Sequence, residues 1–301
     1  MEDPNFHDRD GWIWFDGELI PWREANIHVL SHGLHYASSV FEGERAYNGR
    51  IFKLREHSQR LIDSAGALEM EIPFSVEELD EASQKTVEAN NLTNCYVRPV
   101  AWKGSEQMGV INTRAKTHVA IATWPWDYIS SEIWEKGLRL CEARFRKASP
   151  ESFPVTVKAA GLYTVNTLNK NHALRKGYDD ALVLGSRGKI AESTSANIFL
   201  VIDGKLHTPV PDCFLNGITR QTVIDLAASK GIEVVERDIE LHELAEASEV
   251  FLTGTAVEMT PVAVIDYEGK SYQFTVGGPV ENRLIEAFRE LIGMVAKAAA
   301  V

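Results

Sequence analysis

A chain of 301 residues, 45% hydrophobic and 25% charged, can fill about two domains with cores of their own, and that balance excludes a disordered or membrane-embedded protein. Asp and Glu outnumber Lys and Arg by 43 to 31, for a formal charge of -12, and no basic cluster interrupts the excess, which excludes nucleic acid as a partner. Three widely spaced cysteines, Cys95, Cys141 and Cys213, match neither a disulfide framework nor a zinc pattern. The polar, acidic start MEDPNFHDRDGW is unlike a secretory signal and no apolar run reaches membrane-spanning length, so the expectation is a cytoplasmic protein with no membrane partner.

WIWF, turning at Asp16 and Gly17 into ELIPW, predicts a hairpin. ERAY and RIFKL around Asn48-Gly49 predict a second, because Asn-Gly suits a type I′ turn. A helix should cover about 55–68, and a second should start at Ser75, where Ser75 and Glu78 form a capping box. NCYVRPVAW and THVAIATW read as strands of the same sheet. TWPWDYISS interrupts this pattern, so the expected organisation is a small N-terminal domain over 1–125, an interdomain loop over 126–134 and a large domain over 135–301. In the second half, strands GLRLCEARF, DALVLG, ANIFLVI, IEVVER and EVFLTG alternate with helices near 165–175, 219–230 and 281–295, and AKAAAV reads as a frayed helical end.

Lys158 in VTVKAAGLY stands between a β-branched run and small residues, a setting that favours the neutral, nucleophilic form of an amine. Alone, such a lysine is most often an exposed residue past a strand end. Glu192 in GKIAESTSANIF lies between two strands, and Gly217 in LNGITRQ precedes a helix whose first N–H groups, near Ile218 and Thr219, can hold a phosphate. Thr253 to Ala256 follow a strand and offer hydroxyls and amides to an anion. Tyr96 and Arg98, two apart on a strand, project from one face and suit a carboxylate. His32 and His35 have no acidic or cysteine company, so no metal is assigned.

Together these residues resemble the class IV aminotransferases, which bind pyridoxal phosphate on fold type IV. The resemblance rests on Lys158 in VKAAGLY, on Glu192, Asn197, Ile198 and Phe199, and on Leu206, Thr208, Leu215, Gly217, Ile218 and Arg220, and it spans nearly the whole chain. SHGLHYASSVFEGERAY, REHSQRLIDSA, YVRP and MGV look like the branched-chain amino acid subfamily. The fold so implied is α/β (α+β), a smaller N-terminal α/β domain and a larger C-terminal domain with a barrel-like sheet.

The resemblance implies Lys158 as the Schiff-base amine and proton carrier, Glu192 as the partner of the cofactor's ring nitrogen, and Tyr163 on its phenolic oxygen. Arg60, Ile218, Thr219 and Thr255 would hold the phosphate. Substrate walls would include Tyr36, Phe41, Trp126, Tyr163 and Val257, with Val110 from a second subunit; Arg98 with Tyr96 would take a γ-carboxylate, and Thr255 and Ala256 the α-carboxylate. The implied partners are amino acid and 2-oxo acid substrates and at least one further copy of the chain, as a homodimer. Asn216 and Glu44 depart from the family pattern, where proline and an apolar residue are common, and SEQMGV lacks a usual glycine. The expected reaction exchanges the amino group of leucine, isoleucine or valine with 2-oxoglutarate. A transaminase of D-amino acids or (R)-amines and an aminodeoxychorismate-type lyase share the fold and stand as alternatives.

Overall fold

The computed structural model describes residues 5–126 and 131–293; residues 127–130 of the expected interdomain loop, and the alanine-rich end, lie outside them. The chain divides into two units, the first reaching Trp126 and including Val157–Gly161, the second holding the remainder.

In the first unit the elements are β1 (Trp12–Phe15), β2 (Glu18–Pro21), α1 (His32–Tyr36), β3 (Ser39–Phe41), β4 (Glu44–Tyr47), β5 (Arg50–Ile51), α2 (Leu54–Ala67), α3 (Val76–Ala89), β6 (Cys95–Lys103) and β7 (Thr117–Trp124). Both expected hairpins form, β1 with β2 and β4 with β5. The capping box of α3 is present: Glu78 N donates to Ser75 Oγ (3.2 Å) and Ser75 N to the Glu78 carboxylate (2.7 Å).

The strands make one antiparallel sheet in the order β2-β1-β7-β6-β4-β5, with β3 also on β6. Leu61, Ala65 and Leu79 of α2 and α3 join Val97, Ala101, Val119 and Ile121 of the sheet in one buried cluster. Each large aliphatic side chain so buried contributes about 1.5–3 kcal/mol. The period of two then sends Tyr96, Arg98, Val100 and Trp102 to the face away from the helices. There a groove of about 450 Å³ is lined by Ile13, Phe15, Leu34, Arg98, Val100 and Trp102 among others.

The second unit contains α4 (Ser131–Lys136), β8 (Leu138–Glu142), α5 (Tyr163–Arg175), β9 (Asp180–Leu184), β10 (Ile190–Glu192), β11 (Asn197–Ile202), β12 (Lys205–Thr208), α6 (Ile218–Ser229), β13 (Val234–Glu236), β14 (Glu249–Gly254), β15 (Glu258–Tyr267), β16 (Lys270–Gln273) and α7 (Pro279–Leu291). Strands β10, β9, β8, β15, β14 and β11 pair in that order, and β10 pairs again with β11, so the sheet closes into a barrel. Leu140, Leu182, Ile198, Leu200, Leu252 and Val262 fill its core. The sequence reading missed β10, β12, β15 and β16. Pro261 argues against a strand at β15, yet it sits there in register with Phe251. No helix among the described residues is long and apolar enough to cross a membrane.

A buried acidic pair ties α7 to the barrel. Glu249 on β14 accepts from the N–H groups of Val280 (3.3 Å) and Glu281 (2.7 Å), and so caps the helix. Glu281 is buried beside it, with one oxygen accepting from Gly277 N (2.8 Å) and the other without a hydrogen-bond partner among the described residues. Burial first, with the Glu249 charge also raising it, pushes the Glu281 carboxyl up from 4.5 to about 7. A folded-state value above the unfolded one means that the native state holds its proton more tightly. The associated stability is present in full below pH 4.5 and is lost as pH rises to about 7. Glu281→Gln should therefore raise the melting temperature at pH 8, recovering at most about 3 kcal/mol, and give little or nothing at pH 4.5. A gain of the same size at both pH values in thermal unfolding would rule this out.

Candidate functional site

Lys158 is placed by its backbone. Its N–H donates to Ser64 Oγ on α2 (3.2 Å), its carbonyl accepts from Phe41 N (3.2 Å), and the next residue, Ala159, bridges to Val40. The half-buried side chain carries its ammonium over the Phe41 ring, 5.1 Å from the centroid. The expected strand-end lysine is thus pinned between β3 and α2 by groups that do not involve its side chain.

Arg60 projects from the inner face of α2 and forms a fork with Glu42, Nε to Oε1 at 2.6 Å and Nη2 to Oε2 at 2.8 Å. His57, one turn earlier, shares Glu42 Oε2 through Nδ1 (2.7 Å). Burial would raise the Glu42 carboxyl, but the Arg60 guanidinium and His57 outweigh it and hold the group well below the usual carboxylate range. Burial pushes His57 below its ordinary value against the pull of Glu42, with the charges of Arg60 and Lys158 adding to the effect. The fork holds the Arg60 guanidinium, a cation that suits a phosphate, in one orientation.

Glu44 follows Glu42 on the same face. It lies opposite Val97 of the core, fully buried, and neither oxygen has a hydrogen-bond partner among the described residues. Burial first, then the Glu42 and Asp80 charges, pushes its carboxyl far up, so this departure from the family pattern is a neutral acid in the helix-covered core. It faces away from Tyr96 and Arg98.

On that other face the Arg98 guanidinium lies over the rings of Phe41 (4.8 Å) and Tyr96 (5.2 Å) and donates to Tyr96 Oη (3.1 Å). Its Nε is buried without a hydrogen-bond partner among the described residues. Trp126 meets Tyr96 edge to face at 4.7 Å. Four predicted substrate residues, Phe41, Tyr96, Arg98 and Trp126, are therefore brought together. Tyr36 and Val110 are instead exposed, by 44% and 84%.

In the second unit Glu192 ends β10 with its carboxylate buried. Lys147 Nζ lies 2.5 Å from Oε1, and Asn197 Nδ2 donates to Oε2 (3.1 Å). A carboxylate has about four acceptor sites, which leaves capacity for a ring N–H. Asn197 also donates to Leu215 O (3.0 Å) and accepts from Gly217 N (3.1 Å), which fastens the turn before α6 to the barrel. A Cβ at Gly217 would fall 2.3 Å from Asn197 Oδ1, so that approach requires glycine. Gly217 caps α6 with no side-chain hydrogen bond, leaving the amides at Ile218 and Thr219 to an external anion. Asn216 accepts from buried Arg220 (2.9 Å), so this departure replaces a rigid ring with a hydrogen bond.

Tyr163 opens α5, and Asn166, three residues on along the same helix face, accepts from Lys147 Nζ (2.9 Å). Thr255 and Ala256 form the half-buried turn between β14 and β15, with Val257 buried behind them. Thr253, just before that turn, pairs in register with Asn197. Glu192, the start of α6 and the Thr255 turn thus gather around Asn197. Within the second unit, a buried carboxylate with acceptor capacity and an uncapped helix start suit a phosphorylated ring with a basic nitrogen. Within the first unit, Lys158 offers an amine and Arg60 a fixed cation. Glu42, His57, Lys147, Asn166 and Ser64 escaped the sequence reading, because each partner lies far along the chain and no local motif marks it.

The family model described as Amino-transferase class IV matches residues 39–265. A probable branched-chain-amino-acid aminotransferase of Rickettsia felis is 45% identical over 262 residues, 87% of this chain and 89% of its own length. The crystal structure of the Escherichia coli branched-chain amino acid aminotransferase superposes with a TM-score of 0.90 at 39% identity, covering 97% of this chain and 98% of the other. The branched-chain amino acid aminotransferase of Thermobaculum terrenum, solved in its PLP-form (holo-form), gives 0.85 at 31% identity, covering 95% of each chain.

Proposed function

The chain belongs to the class IV amino-transferase family, and on that premise we propose that it exchanges the amino group of L-leucine, L-isoleucine or L-valine with 2-oxoglutarate. It is a pyridoxal 5′-phosphate enzyme whose substrates are amino acids and 2-oxo acids. When bound, the cofactor supplies a carbonyl for the amine and an electron sink for the carbanion at the substrate's α-carbon.

The observation that carries the substrate assignment is Arg98. Its guanidinium lies over two aromatic rings and keeps a buried Nε in need of an acceptor. Such a wall is apolar toward an aliphatic side chain and cationic toward the γ-carboxylate of glutamate, so it serves both partners in turn. Lys158 would be the amine that holds the cofactor and that moves a proton at the substrate's α-carbon. Glu192 would accept from the ring nitrogen and Tyr163 would hydrogen-bond the phenolic oxygen. Arg60, the amides of Ile218 and Thr219, and Thr255 would hold the phosphate. Thr255 and the Ala256 amide take the α-carboxylate, and Tyr36, Phe41, Trp126 and Val257 wall the side chain.

Val110 completes that wall from a second copy, in a homodimer at least. Its exposure, and that of Val29, Leu34 and Ile111 on the same unit, support a covered surface. The three free, buried cysteines suit a reducing cytoplasm.

The test follows cofactor absorbance as purified holoenzyme meets single amino acids without an oxo acid. L-leucine, L-isoleucine, L-valine and L-glutamate should change the spectrum, while D-amino acids and (R)-amines leave it unchanged. A response to D-alanine or an (R)-amine but not to L-leucine rejects the assignment, and sedimentation of the same sample as a monomer rejects the second copy.

A further inference from the structure

His32 has no metal-ligand company in the sequence, and its surroundings in the fold give it other work. It opens α1, is buried to 2% exposure, and has a partner at each ring nitrogen. Nε2 lies 2.8 Å from the Gly109 carbonyl and Nδ1 lies 2.6 Å from Ser38 Oγ. A carbonyl only accepts, so Nε2 carries the proton and, in the neutral ring, Nδ1 accepts from the Ser38 hydroxyl. The ring packs on Tyr36, centroids 4.5 Å apart and planes at 31°.

Gly109 stands at the tip of the connection between β6 and β7, in MGV. Nearer its base this loop is tied to itself, with Lys116 N donating to Glu106 (3.0 Å) and Arg114 N to Gln107 (2.8 Å). At the tip the tie is to His32. Gly109 has φ of 103°, a conformation that a side chain disfavours, and its carbonyl meets the imidazole. Val110 follows immediately. One buried imidazole thus packs its ring face on Tyr36 and holds the carbonyl just before Val110, the residue proposed to reach the wall of a second copy.

We propose that His32 is a positioning residue that clamps Tyr36 and the Met108–Val110 tip in one arrangement and so sets the enzyme's preference for branched side chains. The proposal rests on the reading of Tyr36 and Val110 as substrate walls. A wall held to a fraction of an ångström discriminates between side chains that differ by a methyl group, whereas a loose one admits them indifferently. The clamp touches neither cofactor nor reacting atoms, so its signature is selectivity rather than rate.

His32→Phe keeps the ring and removes both hydrogen bonds; His32→Gln restores a donor at the reach of Nε2. With the holoenzyme, His32→Phe should lower the ratio of kcat/KM for L-leucine to that for L-alanine about tenfold, through the KM for leucine. Alanine is too short to reach the wall, so its KM should stay the same, as should the cofactor spectrum and its pH profile. His32→Gln should recover much of the ratio. If His32→Phe does not fold, Ser38→Ala, which frees the ring at Nδ1, should lower the ratio about threefold. Tyr36→Ala and Val110→Ala, measured alongside, separate the two readings. If they lower the ratio while the His32 and Ser38 variants leave it unchanged, the clamp is overturned; if they too leave it unchanged, the wall assignment falls and the clamp with it.

Discussion

Lys158→Ala is expected to slow amino transfer from L-leucine by about 10⁴-fold or more, because in the proposed mechanism one side chain supplies both the nucleophile and the proton carrier. The fold should survive the change. The backbone of Lys158 is held by Ser64 Oγ and Phe41 N, neither of which depends on the side chain, and the residues that follow it are alanines. Lys158→Arg sharpens the argument. It keeps a cation for the face of Phe41, but a guanidinium does not deprotonate and cannot act as the amine. Both variants should therefore lose single-turnover transfer while keeping the melting temperature of the apo-protein. Borohydride reduction of the wild-type holoenzyme should leave the cofactor on the peptide that contains Lys158. Activity within about tenfold of wild type in either variant, or labelling of another lysine, would remove Lys158 from its role.

The second large effect concerns two glutamates two residues apart. Glu42 is fully buried and accepts hydrogen bonds from both arms of the Arg60 fork and from His57, and removing one member of a buried ion pair leaves the other uncompensated. Glu42→Gln should cost about 3–5 kcal/mol in urea unfolding of the apo-protein. It should also weaken pyridoxal phosphate far more than unphosphorylated pyridoxal, since Arg60 loses its orientation. Glu44→Gln should change stability by no more than about 1 kcal/mol, because the acid is already neutral and an amide replaces it without loss of charge. Equal losses at the two positions would mean that the charge on Glu42 is not what holds Arg60.

Glu42 and Glu44 also show where reading a sequence reaches its limit. The motif FEGERAY marks Glu44 as unusual, but nothing within it says which face of the strand the residue takes. Its register opposite Val97 turns it into the core. The fork from Arg60 to Glu42 spans 18 positions and belongs to no local pattern, so the glutamate that fixes Arg60 was invisible. The short strand β10 was missed for a related reason: three residues carry too little periodicity to register, yet they close the barrel and present Glu192.

What could be read from the residues alone is local: the Asn-Gly hairpin, the capping box at Ser75, the period-two face that carries Tyr96 and Arg98, and the glycine before α6. Each is settled within a few residues by backbone sterics and side-chain alternation. The same short-range patterns sufficed to bring out the family likeness. The partners of the buried polar groups were set by the folded chain instead, which gave Glu192 to Lys147 and Asn197, Arg60 to Glu42, and His32 to Gly109. Burial makes an unpaired polar group costly, so the chain satisfies most of them with whatever partner the fold brings within about 3 Å, regardless of separation in sequence.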